Sequence, residues 1–165
     1  MNTQKIKNSR LIVLLAFFIN GALLATWVTR IPEIQNKLAL SEAKLGLTLL
    51  GISIGVLTAL SMSDAIISKF GSQKITVSFG ILMCLSMPLL AIAPNIIFLW
   101  MGLFIFGGTM SVMDVAMNEQ AVLVEKATQK PLMSSFHAAY SVGGLVGALF
   151  GAFFTRFEFF SPILY

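Results

Sequence analysis

Five stretches of this chain are apolar for long enough to cross a lipid bilayer, and nothing else in it restricts folding so strongly. A helix spanning the hydrocarbon core needs about 20 mostly apolar residues. Stretches 11–29, 45–67, 75–93, 96–118 and 132–154 each supply about that length. Inside hydrocarbon every backbone N–H and C=O must be bonded within the protein, so segments of this kind have to be helices. The expected fold is all-α, a polytopic membrane helix bundle with five transmembrane helices. Charged residues make up only 11% of the chain, against roughly a quarter in soluble domains, and they lie mainly between the apolar blocks. The first block follows Lys5, Lys7 and Arg10 as a signal peptide would. Its apolar run is too long for that role, and four more spans follow.

The net charge of +4 would suit nucleic acid, but the chain has no basic run interleaved with aromatics, so no nucleic acid partner is expected. Cys84 is the single cysteine and excludes an internal disulfide. No nucleophile–base pair, phosphate-cradling loop or metal-ligand spacing is visible, so no enzyme, cofactor or metal is expected. Membrane lipids are the expected surroundings. Lys and Arg placement gives the orientation. With the N-terminus inside, Lys5, Lys7, Arg10, Lys69, Lys74, Lys126 and Lys130 lie inside, while Arg30, Lys37, Lys44 and Arg156 lie outside. Trp27 and Trp100 then fall towards the outer helix ends, where aromatic belts form.

The loops and glycines carry local signals. In RIPEIQNKLALSEAKLG, Pro32 is expected to turn the chain and Ser41 to cap the second helix. In EKATQKPLMSS, Pro131 suits the first turn of the fifth. Gly51 and Gly55 form a GxxxG pair, and Gly143, Gly147 and Gly151 extend the same spacing. Small residues every fourth position let membrane helices meet backbone to backbone.

The chain also resembles itself. INGALLATWV lies over FGGTMSVMDV at a shift of 87 residues, and SIGVLTA over SVGGLVG at a shift of 88. The first match sets Trp27 opposite Asp114. Helix one would run outward and helix four inward, which makes the two units inverted repeats, a recurring design in secondary transporters. Carrying helix three forward by the same shift starts a sixth helix at Ile163, just before Tyr165. The chain is therefore expected to be incomplete, with the missing helices supplied in cis or by another chain.

Three segments, RIPEIQNKLALSEAKLG, DVAMNEQAVLVEK and PLMSSFHAAYSVGGLVGA, resemble the N-terminal part of major facilitator superfamily transporters, and among them the fucose-permease-like group. The resemblance covers nearly the whole chain, but only the first five of the twelve helices usual there. It implies an incomplete N-terminal half of a major facilitator fold, with residues 1–165 forming one partial bundle. It further implies a multi-pass protein of the bacterial inner membrane that moves a small-molecule solute, with protons as the coupling ion. The superfamily's loop between helices two and three usually reads Gly-x-x-x-Asp-Arg/Lys-x-Gly-Arg-Arg/Lys. Here DAIISKFGSQK keeps Lys69 and Gly71, with Ser68 where Asp is usual and Asp64 where Gly is usual. Asp64 lies one turn before Ser68 on the same helix face, so the acid of this gating loop is displaced by a turn. The arginine often found in helix four is absent.

An ionisable side chain within the bilayer costs at least ~2.5 kcal/mol and normally faces a cavity or a partner. Gly107, Ser111, Asp114 and Asn118 form one small and polar stripe on helix four. By resemblance, Asp114 is the candidate proton carrier, with Asn118 one turn away. The competing role is an acid that caps or pairs near the cytoplasmic end of its helix. His137 is the only histidine; it could relay a proton or bind a solute hydroxyl, or be satisfied by a helix-end carbonyl or headgroup. If helices four and five face each other, Asp114 is level with Tyr140 and Ser141. Asn20 and Trp27 share a face of helix one. They suit a solute hydrogen bond and a stacking ring, or equally an interhelical amide bond and an interfacial anchor. Arg30 is expected to snorkel, with Glu33 as a loop partner. Two functions fit these residues. One is a proton-coupled transporter working by alternating access. The other is a non-transporting membrane fragment, or an assembly or scaffold subunit that binds partners through its glycine faces.

Overall fold

Backbone bonding within apolar segments is met by helices alone. The computed structural model describes residues 3–156, and side chains from 6 to 153, with no strand among them. The elements are α1 (Thr3–Lys37), α2 (Glu42–Phe70), α3 (Ser72–Ala91), α4 (Ile96–Thr128) and α5 (Met133–Arg156). All five are long and apolar enough to cross a membrane. Several outrun their apolar blocks: α1 continues to Lys37 and α4 to Thr128. Only the hydrocarbon length must be apolar, and the i→i−4 bonding continues through polar sequence until a residue leaves the helix.

The exits are local chemistry. Pro32 does not turn the chain; it sits inside α1, where a missing N–H leaves one carbonyl a turn back without its donor. The turn comes at Ala39, whose φ of 48° is left-handed. Ala39 N–H donates to Asn36 and Leu40 N–H to Gln35, the Schellman pair that satisfies trailing carbonyls. Ser41 caps α2 as expected, accepting from Lys44 N–H at 3.4 Å. Gly71 alone separates α2 from α3, with φ 83° and ψ 139°, a region that suits glycine. Asn95 caps α4 by accepting from the N–H groups of Ile97 and Phe98, both at 3.1 Å. Pro131 precedes α5 rather than entering its first turn. The Glu125 carboxylate reaches across from α4 to accept from Leu132 and Met133 N–H, placing an anion where the helix dipole favours one.

Two tight helix pairs build the bundle. α1 packs along α5 and α2 along α4, α3 lies on α4, and α4 and α5 scarcely touch. The expected meeting of α4 with α5 face to face is therefore replaced by a gap. Both tight seams are glycine-lined. A Cβ on Gly143 would strike the Phe18 carbonyl, one on Gly147 the Ala22 carbonyl, and one on Gly151 the Thr29 hydroxyl. In the other seam a Cβ on Gly55 would strike the Phe104 carbonyl, and one on Gly51 would lie 2.9 Å from the Trp100 carbonyl. The glycines are thus consumed in packing within the chain.

The seams repeat each other. Gly21 lies against the Tyr140 carbonyl as Gly107 lies against that of Ile52, and Gly143 meets Phe18 as Gly55 meets Phe104. These pairs relate α2 to α5 by 88 residues, but α1 to α4 by 86 rather than 87. The internal twofold therefore sets Met113, not Asp114, opposite Trp27.

Phe17, Phe106, Phe136, Met83, Leu90, Leu99 and Leu103 fill the interior. Leu57, Ile97, Leu145 and Leu149 each stay more than 60% exposed, which suits helices surrounded by hydrocarbon rather than water.

Candidate solute cavity

Where α4 and α5 draw apart, a cavity of about 450 Å³ opens between them, with α1 and α2 contributing walls. Its polar lining comes from Asn20 of α1, Ser111 and Asp114 of α4, and His137 and Tyr140 of α5. Phe17, Leu24, Val56, Leu60, Met110, Val115 and Met117 complete it. A mostly apolar recess with a few convergent polar groups is the usual form of a small-molecule site.

Each polar group is held differently. Asn20 is 2% exposed, and its Nδ2 has no acceptor among the described residues. Asp114 lies near the middle of α4, fourteen residues before Thr128 and exposed to the cavity. Asn118 Nδ2 donates to the Asp114 carbonyl at 2.8 Å and makes a longer contact to its Oδ1 at 3.4 Å. Asn118 does not line the cavity; it touches the acid from behind. The His137 ring meets Phe17 edge to face at 5.3 Å, while Phe17 stacks on Phe136.

Other expected residues lie elsewhere. Ser141 is exposed outside the cavity lining, and its hydroxyl donates to the His137 carbonyl at 3.1 Å. Trp27 is buried at 2% exposure and packs beside Phe106 at 6.4 Å, so it is neither an interfacial anchor nor a wall of the cavity. Its Nε1 has no acceptor among the described residues. Arg30 and Glu33 pair within α1 at 3.1 Å.

At the α2–α3 junction, Asp64, Ser68 and Lys69 are exposed, with Lys69 Nζ 5.2 Å from the Phe70 ring centroid. Sequence reasoning missed what anchors this junction. Ser72, the first residue of α3, is buried and donates to Glu119 Oε1 at 3.0 Å, and it accepts from Gln120 Nε2 at 2.6 Å. The adjacent Glu119-Gln120 pair was the available signal. Lys37 ties the other end of α3, donating to the Ala91 carbonyl at 3.0 Å.

The chain is similar to transporters. It is 41% identical over 134 residues to an uncharacterized MFS-type transporter of Yersinia pestis, covering 81% of this chain and 35% of that protein. It is 36% identical over 142 residues to an uncharacterized transporter of Sinorhizobium fredii, covering 86% and 38%. It is 33% identical over 133 residues to the membrane protein MosC of Rhizobium meliloti, covering 81% and 33%. The chain thus spans about a third of the length of these curated relatives. No protein-family model matches it, and no solved structure does. With five spanning helices and relatives of this kind, it is an integral, multi-pass membrane protein whose outer faces contact lipid.

Proposed function

We propose that this chain forms part of the N-terminal bundle of a major facilitator type secondary transporter, allied to the fucose-permease-like group. It moves a small polar solute by alternating access, coupled to protons. It sits in the bacterial inner membrane with its N-terminus in the cytoplasm. The observation that carries this reading is the polar recess inside an otherwise apolar bundle, with a mid-helix carboxylate in its wall. A charge at that depth persists where it serves a cavity or an ion path.

In this reading Asp114 carries the proton. Asn118 supports it from outside the cavity, while His137 and Tyr140 complete the polar wall opposite. The glycine seams hold each helix pair together as a unit, and the junction around Asp64, Ser68, Lys69 and Gly71 gates the inner side. The remaining length of the relatives supplies the second bundle, in cis or from another chain. The scaffold reading loses its main support, because the glycine faces it needs are already covered by the chain's own helices.

The test uses proteoliposomes holding the chain together with the remaining part of the Yersinia relative and a trapped pH-sensitive dye. Solute addition should drive proton movement, and Asp114→Asn should abolish it. Proton movement unchanged in Asp114→Asn would overturn the assignment.

A further inference from the structure

The charge balance of the cavity restricts what it can hold. Among the described residues that line it, Asp114 is the only acid, there is no lysine or arginine, and His137 is the only group that can become cationic. With Asp114 ionised, the wall therefore carries a negative charge with no fixed positive one. An anionic solute would have to approach a carboxylate in surroundings of low dielectric, where repulsion is weakly screened. A solute bearing a positive nitrogen would find its counter-charge there.

A second group faces the same space. The Asn20 amide donor is almost wholly buried on the cavity wall and has no acceptor among the described residues. A buried donor left without an acceptor is costly, and a ligand oxygen removes that cost. Ser111 and Tyr140 add hydroxyls that either give or accept. The apolar remainder, Phe17, Leu24 and Val56 among it, leaves room for a compact carbon skeleton.

We propose that the cavity takes a small cationic solute, an amine or ammonium with a hydroxyl or carbonyl oxygen nearby. The nitrogen pairs with Asp114 and the oxygen accepts from Asn20. This rests on the transporter reading above and adds to it that proton and solute nitrogen compete for one carboxylate, so each displaces the other.

The experiment reads the charge preference directly, without knowing the solute. Cys84, the single native cysteine and an exposed one, is changed to serine. Met110→Cys and, separately, Leu60→Cys then place a thiol on the cavity wall, and Ala43→Cys serves as an exposed control. Each variant, purified in lipid nanodiscs, is labelled with a trimethylammonium-ethyl or a sulfonatoethyl methanethiosulfonate. The cavity thiols should favour the cationic reagent over the anionic one by roughly tenfold relative to the control, the factor that about 1.4 kcal/mol of interaction produces. Asp114→Asn should remove most of that preference, and ethanolamine should slow labelling by the cationic reagent unless Asn20 or Asp114 is replaced. Equal labelling by both reagents, or a preference that survives Asp114→Asn, overturns the cationic assignment while leaving a water-accessible cavity. If neither reagent reaches either cavity thiol, the cavity itself is removed, and the transporter reading with it.

Discussion

The α1–α5 seam and the α2–α4 seam are the same packing solution used twice, yet they border the cavity with different chemistry. Each seats a glycine on a partner carbonyl at equivalent positions: Gly21 and Gly107, Gly143 and Gly55. By the same relation, the counterpart of Asn20 is Phe106, wholly buried in the core, and the counterpart of Asp114 is Val28, exposed on the outside. Backbone contact has kept the symmetry, because a carbonyl against a glycine tolerates no larger residue. The cavity wall has not, because nothing in close packing demands polar groups there. Frame and function are written at different positions of the same helices.

The largest effect should come from filling the seams. Gly143→Ala would drive a methyl into a backbone carbonyl that cannot rotate away, costing about 3 kcal/mol, at the upper end of overpacking penalties. Its counterpart Gly55→Ala should cost a similar amount, measured by unfolding in mixed micelles of rising denaturing-detergent fraction. If only one of the two destabilises the bundle, the equivalence of the seams is broken.

Differences between the halves should appear at the helix starts. Glu125→Ala removes the acceptor for two N–H groups at the head of α5 and should cost about 1–2 kcal/mol, the upper range for a lost cap. Ser41→Ala, at the head of α2, should cost less than about 1 kcal/mol, since that bond is long and exposed. Equal losses would mean that the two starts are more alike than their caps. Ser72→Ala should cost about 1 kcal/mol by breaking the link from α3 to Glu119 and Gln120, and should increase proteolysis near Gly71. The smallest effect has the opposite sign. Gly46 has nothing near its missing Cβ, so Gly46→Ala should stabilise α2 by up to about 1 kcal/mol through helix propensity. Destabilisation there would show that a further glycine position takes part in packing.

Much of the frame could be read before the structure. Apolar length set the number of helices, and Ser41 announced a cap. The glycine spacing marked the two seams, although not that Gly21 and Gly107 join them. The cavity was legible in part. Asn20, Asp114, His137 and Tyr140 do share it, but Ser141 and Asn118 sit outside, since each hydroxyl or amide turned back onto a carbonyl one helical turn away. Trp27 went inward where an interfacial position was expected, because its ring fits beside Phe106. Pro32 failed to turn α1 because one missing donor does not end a helix that the following residues continue.

The sequence by itself determined that the chain is an all-helical membrane bundle, where its helices run to within a few turns, and which small residues allow close approach. Only the tertiary structure decided which face of each helix looks inward. In water an amphipathic stripe would have announced that face, but lipid is as apolar as a protein core, so Leu57 outside and Leu103 inside look alike in the sequence. The depth of Asp114 within α4, and its place opposite α5 across a gap rather than against it, followed from how the glycine seams lock the pairs together.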